Sequence, residues 1–333
     1  MIWSFLLALI APLLSAVPAT TAVAAYPAVV DSTSVSAFGE QRAPFAVRFG
    51  ETTTDYRVMA MFALPGQHVA IEARDTTARV PEAPAQFELS AASGAAAPQG
   101  DGHWTWVAPA RAGLYPVVVR NDRGDAVTLN VFVMVPYSAM RHGRVNGYRV
   151  GAYPAPRRGH ESEYQRPPGF IEVTDALLDT HVSPHFTLGQ FVCKQAGGWP
   201  RYMVLRQPLL EKLEQLLAAV NERGIDAPTF SIMSAYRTPS YNAAIGNVTT
   251  YSRHEYGDAA DIFVDADGDG VMDDLNHDGR HTEADSRVLA GIVTRLEGEA
   301  SHLVGGHGTY GPTSEHGPFT HVDVRGFAVE WSA

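Results

Sequence analysis

Residues 252–264, SRHEYGDAADIFV, place a histidine and an aspartate on either side of a glycine turn. The apolar run at 259–264 predicts a buried strand, and Asp261 lies inside it. Because burying a bare carboxylate is costly, this aspartate needs a partner, and a metal ion is one such partner. The turn at Gly257 allows His254 and Asp261 to reach the same cation. The segment therefore predicts two ligands of a metal site beside a strand.

A third ligand is predicted near the end of the chain, in residues 319–325, FTHVDVR. Strand alternation puts Phe319, His321, Asp323 and Arg325 on one face, so His321 can point into the same cleft. Catalytic zinc takes three nitrogen or oxygen ligands and keeps one position open. We therefore predict Zn²⁺ as a cofactor, with His254, Asp261 and His321 as its ligands.

Three motifs together resemble the zinc D-Ala-D-Ala carboxypeptidase family. They are Ser-x-Tyr-Arg at 234–237, Ser-x-His-x-x-Gly-x-Ala-x-Asp at 252–261 and Phe-Thr-His-Val-Asp at 319–323. The similarity covers about residues 183–327, and the hedgehog signalling domain shares that family's fold. The resemblance implies a zinc metallopeptidase that hydrolyses amide bonds near D-alanine in peptidoglycan stem peptides. It also implies that the matching His254, Asp261 and His321 bind the zinc.

The resemblance leaves the general base open. Some relatives place a glutamate three residues before the last ligand, where this chain has Pro318. Others place an acidic residue six before it or a histidine five before it, which are Glu315 and His316 here. We favour Glu315 as the base towards the attacking water. His316 would then stabilise the developing oxyanion or protonate the leaving amine, and Asp323 would orient a neighbouring group.

Arg237 matches the arginine that in relatives contacts the substrate near the scissile bond or its terminal carboxylate, and its planar fork suits a carboxylate. Together with Ser234 and Tyr236 it forms the predicted substrate-binding set. Bond specificity stays open between carboxypeptidase and endopeptidase, and between D,D and L,D cleavage. Two other classes also stay open: a non-catalytic, metal-stabilised cell-wall-binding protein, and a calcium-stabilised extracellular structural module.

Two overlapping acidic loops between residues 265 and 285 have the oxygen spacing of EF-hand calcium loops, with a glycine at the sixth position of each. We therefore expect Ca²⁺ as a second cofactor. The predicted ligands of the first loop are Asp265, Asp267, Asp269, Val271 and Asp273, and those of the second are Asp274, Asn276, Asp278, Arg280 and Asp285.

The net charge and the cysteine content argue against nucleic acid or anionic membranes as partners and against a disulfide-stabilised fold. The formal net charge of −11 disfavours nucleic acid and anionic membrane surfaces as partners. Much of the negative excess lies in the acidic loops, which agrees with a local cation site. With one cysteine, Cys193, the chain has no internal disulfide, and the apolar neighbours of Cys193 predict a buried, inert thiol.

The predicted fold class is α+β, with a small all-β domain before a hedgehog/D,D-peptidase-like zinc domain. Residues 1–25 are apolar and end in small residues, which predicts a signal peptide and a periplasmic or secreted protein without a membrane span after cleavage. Residues 26–138 carry short β-prone runs and a hairpin at 113–135, which predict a β-sandwich-like module. Residues 139–182 have the composition of a Gly/Pro-rich linker, and 183–333 would form the zinc peptidase domain with the calcium-loop insertion at 265–285. Hydrophobic periodicity predicts helices at 208–223 and 283–296.

Overall fold

The computed structural model describes residues 41–76, 85–247 and 249–333, and these form a mixed α and β fold of small sheets with few helices. The coarse α+β prediction is therefore confirmed. The signal peptide predicted at 1–25 lies outside the described residues.

The first nine strands form two sheets whose inner faces meet. Their bounds are β1 Arg42–Phe49, β2 Thr52–Tyr56, β3 Val58–Ala63, β4 His68–Asp75, β5 Phe87–Ala91, β6 Ala95–Gly100, β7 His103–Val107, β8 Gly113–Asn121 and β9 Ala126–Val133. One sheet has the order β2-β1-β4-β7-β6 and the other β3-β9-β8-β5. The ring of Phe45 on β1 lies 5.1 Å from that of Phe87 on β5, which joins the two sheets. The predicted hairpin is present as the antiparallel pair β8–β9.

The Gly/Pro-rich segment that follows is folded onto the rest of the chain. The next strands are β10 Val135–Pro136, β11 Arg144–Val145, β12 Tyr148–Arg149, β13 Gly169–Val173, β14 His181–Ser183, β15 Phe186–Thr187 and β16 Arg201–Met203. Strands β10, β13 and β16 form a three-stranded sheet. Tyr153 is buried, and its hydroxyl donates to the carbonyl oxygen of Glu255 at 3.0 Å. The segment therefore supports the turn that carries His254.

Three α-helices occur in the described ranges: α1 Gln207–Asn221, α2 Pro239–Ala244 and α3 Glu283–Glu299. The leucine stripe of α1 is buried, as its periodicity predicts, and a proline stands in its first turn. Thr282 and Asp285 form a capping box at the start of α3. The two predicted helices are therefore confirmed to within a few residues at each end. None of the described helices has the length and apolar character that crossing a bilayer requires.

A five-stranded sheet presents the residues of the predicted metal site. It contains β17 Ser231–Ser234, β18 Ala259–Phe263, β19 Gly306–Tyr310, β20 Phe319–Asp323 and β21 Val329–Ser332, in the order β17-β18-β20-β19-β21. Helix α3 packs against β19 and β20, where the Thr320 hydroxyl donates to the carbonyl oxygen of Ser286 at 3.0 Å. Since side chains alternate along a strand, His321 points to the opposite face, away from the helix.

Candidate metal centre

Three ligand atoms converge on the face of the sheet that lies away from α3. The distance from His254 Nε2 to His321 Nδ1 is 3.2 Å, and Asp261 Oδ1 lies 3.3 Å from the former and 2.9 Å from the latter. A tetrahedral ion with bonds of about 2.05 Å holds its ligand atoms about 3.3 Å apart. All three residues are buried, and the triangle has the size of one such coordination face. This group can therefore hold a metal ion.

The backbone fixes the positions of all three side chains. Asp261 on β18 and His321 on β20 stand directly opposite each other in the antiparallel register, so their side chains share a face. His254 lies in a 3-10 turn, Arg253–Tyr256, which ends at Gly257 with φ of +71°. A Cβ atom at Gly257 would stand 2.3 Å from the carbonyl oxygen of Val204, so this tight turn requires glycine.

The second nitrogen of each imidazole is held by an acceptor. His254 Nδ1 donates to the carbonyl oxygen of Ala235 at 2.7 Å, and His321 Nε2 donates to Asp323 Oδ2 at 3.1 Å. Since carbonyl and carboxylate oxygens only accept, these bonds place a proton on His254 Nδ1 and on His321 Nε2, and they leave His254 Nε2 and His321 Nδ1 as the nitrogens that face the centre of the triangle. Such outer partners are typical of metal-binding histidines.

Burial and mutual charge set the protonation of the group. Burial lowers the pKa of His254, which favours the neutral imidazole. For Asp261, burial acts to raise the pKa, but His254 and His321 outweigh it and hold the pKa far below its usual range. For His321, burial acts to lower the pKa, but its hydrogen bonds to Asp261 and Asp323 raise it. A histidine ligand must be neutral, so a cation competes with protonation of His321, which couples its binding to pH.

Arg237 is the predicted substrate residue that the structure brings to the triad. Its Nη2 lies 2.5 Å from Asp261 Oδ2, and its Nε donates to Ser234 Oγ at 2.8 Å. Ser234 therefore holds the guanidinium. Tyr236 is buried elsewhere, with its hydroxyl 3.1 Å from that of Tyr153, so it does not line the pocket.

A pocket of about 400 Å³ opens over the triad. Its walls include Arg325, which strand alternation placed on the same face as His321, and residues that the sequence interpretation missed: Arg157, Tyr251, Tyr310 and Trp331. The sequence contained one indication of this wall of the pocket, because glycines alternate with other residues in Gly-His-Gly-Thr-Tyr at 306–310. Glycine within a strand often marks a close approach by another group.

The structure does not bring Glu315 or His316 to the metal pocket. Glu315 is exposed in the loop between β19 and β20, and both residues line a second pocket of about 400 Å³ that Asp265 also borders. The His316 ring contacts the edge of Phe319, at 5.0 Å between ring centres. Among the described residues that line the metal pocket, Asp261 is the only carboxylate. The predicted base is therefore not in position beside the triad.

The first acidic loop brings three of its predicted calcium ligands together. Carboxylate oxygens of Asp265, Asp267 and Asp269 lie within 4.8 Å of one another. Asp265 Oδ2 accepts from the backbone N–H of Gly270 at 3.2 Å, whereas Asp265 Oδ1 is buried without a hydrogen-bond partner. Asp273 closes the loop by accepting from the N–H of Ala266 at 3.0 Å.

The second acidic loop runs into the start of α3. Asp274 accepts from the backbone N–H groups of Asp278 and Gly279, at 3.1 and 2.7 Å. Asp285 is buried and accepts from the N–H groups of Asn276 at 3.3 Å and Thr282 at 2.8 Å. The loop and the helix cap therefore share one carboxylate.

Comparisons with known proteins identify no family. No protein-family model matches the chain, and no curated protein is significantly similar to it. Among solved structures, a nucleoside hydrolase-related hypothetical protein from Saccharophagus degradans, associated with carbohydrate metabolism, aligns over 28% of this chain and 25% of its own, at 12% identity and a TM-score of 0.21. Invasin, a bacterial integrin-binding protein, aligns over 29% of this chain and 20% of its own, at 17% identity and a TM-score of 0.18. The adhesin InvE of Yersinia pseudotuberculosis aligns over 29% of this chain and 30% of its own, at 16% identity and a TM-score of 0.16. This chain thus spans under a third of each of these proteins, and likenesses this small carry no argument about its fold or function.

Proposed function

We propose that the protein is a zinc-dependent peptidase that hydrolyses amide bonds near D-alanine in peptidoglycan stem peptides. The observation that carries the proposal is the buried triangle of His254 Nε2, Asp261 Oδ1 and His321 Nδ1 below an open pocket. The three sequence motifs that resemble the zinc D-Ala-D-Ala carboxypeptidases support the choice of substrate.

Zinc is the ion that we propose for the triad. Two imidazoles and one carboxylate form a donor set that catalytic zinc takes, whereas calcium prefers an all-oxygen site. Each imidazole holds a proton on its outer nitrogen, which leaves the inner nitrogen for an ion that binds neutral histidine. When bound in such a site, Zn²⁺ polarises a carbonyl group and acidifies a water molecule.

The chain's own cations would orient the substrate. Arg237 holds Asp261 Oδ2, so only Oδ1 of that carboxylate faces the centre of the triangle. In the proposal, the guanidinium of Arg237 also reaches the scissile carbonyl or the terminal carboxylate of a peptide. Arg157 is exposed at the pocket, with its guanidinium 5.8 Å from the ring centre of Tyr164, and it adds a positive charge to a lining that also contains Arg253 and Arg325. This charge suits a substrate that carries carboxylates.

In the proposal, a carboxylate from outside the described lining of the metal pocket accepts the proton of the attacking water. Glu315 follows from the resemblance alone, and it would have to leave its exposed position in the loop between β19 and β20 to reach the triad. The rate of the Glu315→Gln variant decides between a movement of this loop and a different base.

The same proposal includes the cellular location of the protein, the finer fold of its C-terminal part and a second cation. We propose that residues 183–333 form a hedgehog/D,D-peptidase-like domain and that the protein is exported to the periplasm or secreted.

We further propose Ca²⁺ in the acidic loops. The buried, unpartnered Asp265 Oδ1 supports this, since an oxygen without a hydrogen-bond donor is stabilised by a cation.

The test is mass spectrometry of purified muropeptides after incubation with the zinc-loaded protein. Loss of a terminal D-alanine would indicate a carboxypeptidase, and conversion of cross-linked dimers to monomers would indicate an endopeptidase. His254→Ala should abolish turnover, and the matched control His302→Ala, which removes an exposed imidazole, should not. Zinc-dependent sedimentation with peptidoglycan but no product would instead favour a non-catalytic cell-wall-binding protein.

A further inference from the structure

One wall of the metal pocket carries a hydrogen bond between an indole and a phenol. Trp331 Nε1 donates to the hydroxyl oxygen of Tyr310 at 2.9 Å. An indole N–H has no acceptor capacity, so the phenol oxygen must be the acceptor in this bond. Within the described part of the chain, no protein group accepts the proton of the Tyr310 hydroxyl. That proton therefore remains available to a ligand in the pocket.

The sheet directs this pair towards the triad. Gly308 stands opposite His321 on one side and beside Trp331 on the other. A Cβ atom at Gly308 would lie 2.3 Å from the indole, so the missing side chain lets Trp331 cross the strand. The indole then lies 5.1 Å from the His321 ring, between ring centres. A larger residue at 308 would separate the two rings.

Tyr310 is held on the same face. It is two residues along β19 from Gly308, and its ring stacks on that of Phe319 at 4.3 Å with an angle of 8° between the planes. Burial raises the pKa of Tyr310, the Trp331 hydrogen bond opposes the rise, and the negative charge of Asp261 adds to it. The phenol is thus protonated at neutral pH and serves as a donor.

We propose that Tyr310 is a catalytic hydrogen-bond donor to the scissile carbonyl oxygen, and that Trp331 is a positioning residue that fixes the direction of its hydroxyl. The inference rests on the proposed peptidase function. Water adds to the carbonyl carbon, the C–N bond breaks, and a proton from the water passes to the leaving amine. The Tyr310 proton stays on the phenol throughout, where its hydrogen bond strengthens as the carbonyl oxygen gains negative charge.

Tyr310→Phe keeps the stacked ring and removes only the hydroxyl. We expect kcat to fall by roughly 10²–10³-fold, as for the loss of one donor to an oxyanion, with KM close to the parental value. Zinc content should stay unchanged, since Tyr310 is not a ligand. A phosphinate analogue of D-alanyl-D-alanine carries an anionic oxygen in place of the carbonyl. Its calorimetric affinity for the zinc-loaded protein should fall by a similar factor, and this measurement needs no turnover.

Trp331→Phe tests the positioning role. It keeps an aromatic ring beside His321 and removes the indole N–H, so kcat should fall less than in Tyr310→Phe. Adding Trp331→Phe to Tyr310→Phe should lower kcat by less than about a further twofold. A hydroxyl that points in the wrong direction and a hydroxyl that has been removed lose the same hydrogen bond to the substrate. Tyr202→Phe and Trp199→Phe are matched controls outside the pocket. The Tyr202 hydroxyl donates to Glu172 at 2.6 Å, and Trp199 is 39% exposed.

The outcomes separate the two proposals. Parental phosphinate affinity in Tyr310→Phe overturns the donor role, and fully multiplicative losses in the double variant overturn the positioning role of Trp331. Absence of muropeptide turnover in the parent protein overturns the proposed function, while the phosphinate comparison still decides whether Tyr310 donates. A zinc-loaded parent protein that does not bind the phosphinate overturns both.

Discussion

Replacing Asp323 by asparagine should weaken zinc binding without changing any of the three ligands. Asp323 is buried, and the Arg325 guanidinium donates to both of its oxygens. Oδ1 accepts from the backbone N–H groups of Gly306 at 2.8 Å and Arg325 at 3.0 Å, while Oδ2 accepts from His321 Nε2 at 3.1 Å. An asparagine has one acceptor oxygen and one donor nitrogen at these positions.

Either orientation of the new amide loses an interaction. With its NH₂ group at the Oδ2 position, a donor meets His321 Nε2–H, which favours the other tautomer and blocks Nδ1 as a ligand. With its NH₂ group at the Oδ1 position, donors face the N–H groups of Gly306 and Arg325, at a cost of roughly 1–3 kcal/mol in folding free energy. Loss of such an outer partner typically weakens metal binding by about 10–100-fold, or roughly 1.4–2.7 kcal/mol.

The assay is competition for zinc against a chromophoric chelator at constant pH, with circular dichroism to check the fold. Asp226→Asn, at an exposed position, is the matched control and should bind zinc as the parent does. If the Asp323→Asn protein is folded and binds zinc within twofold of the parent, the hydrogen bond to Asp323 does not fix the His321 tautomer.

Four further predictions concern the rest of the chain. The melting temperature should rise with millimolar calcium and fall with a calcium-selective chelator. The expected stabilisation is roughly 2.7 kcal/mol when the calcium concentration is 100 times the dissociation constant. A melting curve that does not change with calcium would exclude a structural role for the ion. Glu315→Gln should change kcat by less than about tenfold, because Glu315 is exposed outside the metal pocket; a loss of roughly 10²–10⁴-fold would show that its loop moves to supply the base. The Arg48 hydrogen bond holds the pKa of Glu72 below its ordinary value of 4.5, so ionised Glu72 stabilises the folded state above that pH, and this stabilisation is lost as the pH falls through the lowered pKa. When the melting temperature is measured at decreasing acidic pH, it should therefore fall less steeply for Glu72→Gln than for the parent protein. Lys212→Met should cost roughly 3–5 kcal/mol in urea unfolding, because it removes the buried ammonium that pairs with Glu297; adding Glu297→Leu should recover only part of the loss, since the Gly305 N–H also donates to that carboxylate.

The sequence predicted the elements that depend on local patterns. The leucine stripe predicted α1 because a helical period shows which face is buried, and the alternation in 319–325 placed His321 on the face of the sheet that it occupies. His254 and Asp261 were found because a carboxylate inside an apolar run requires a partner. These inferences rest on spacing within a few residues along the chain.

The pocket walls could not be predicted in the same way. Trp331 reaches the triad through the parallel pairing of β21 with β19, and this pairing is a tertiary contact with no local signature. Arg157 comes from a segment whose composition predicted a linker. Glu315 was chosen by its distance in sequence from His321, but the path of the loop turns that residue out to solvent.

The pairing of β18 with β20 also has a consequence for folding kinetics. Asp261 and His321 face each other in register, yet the acidic loops, α3 and β19 all lie between them along the chain. The closure of so long a loop is entropically costly and makes contacts between distant segments form late. Uptake of a metal ion by all three ligands therefore reports the moment at which this sheet closes. In a refolding experiment, zinc acquisition should lag behind the formation of helix α1, whose stabilising pattern is local.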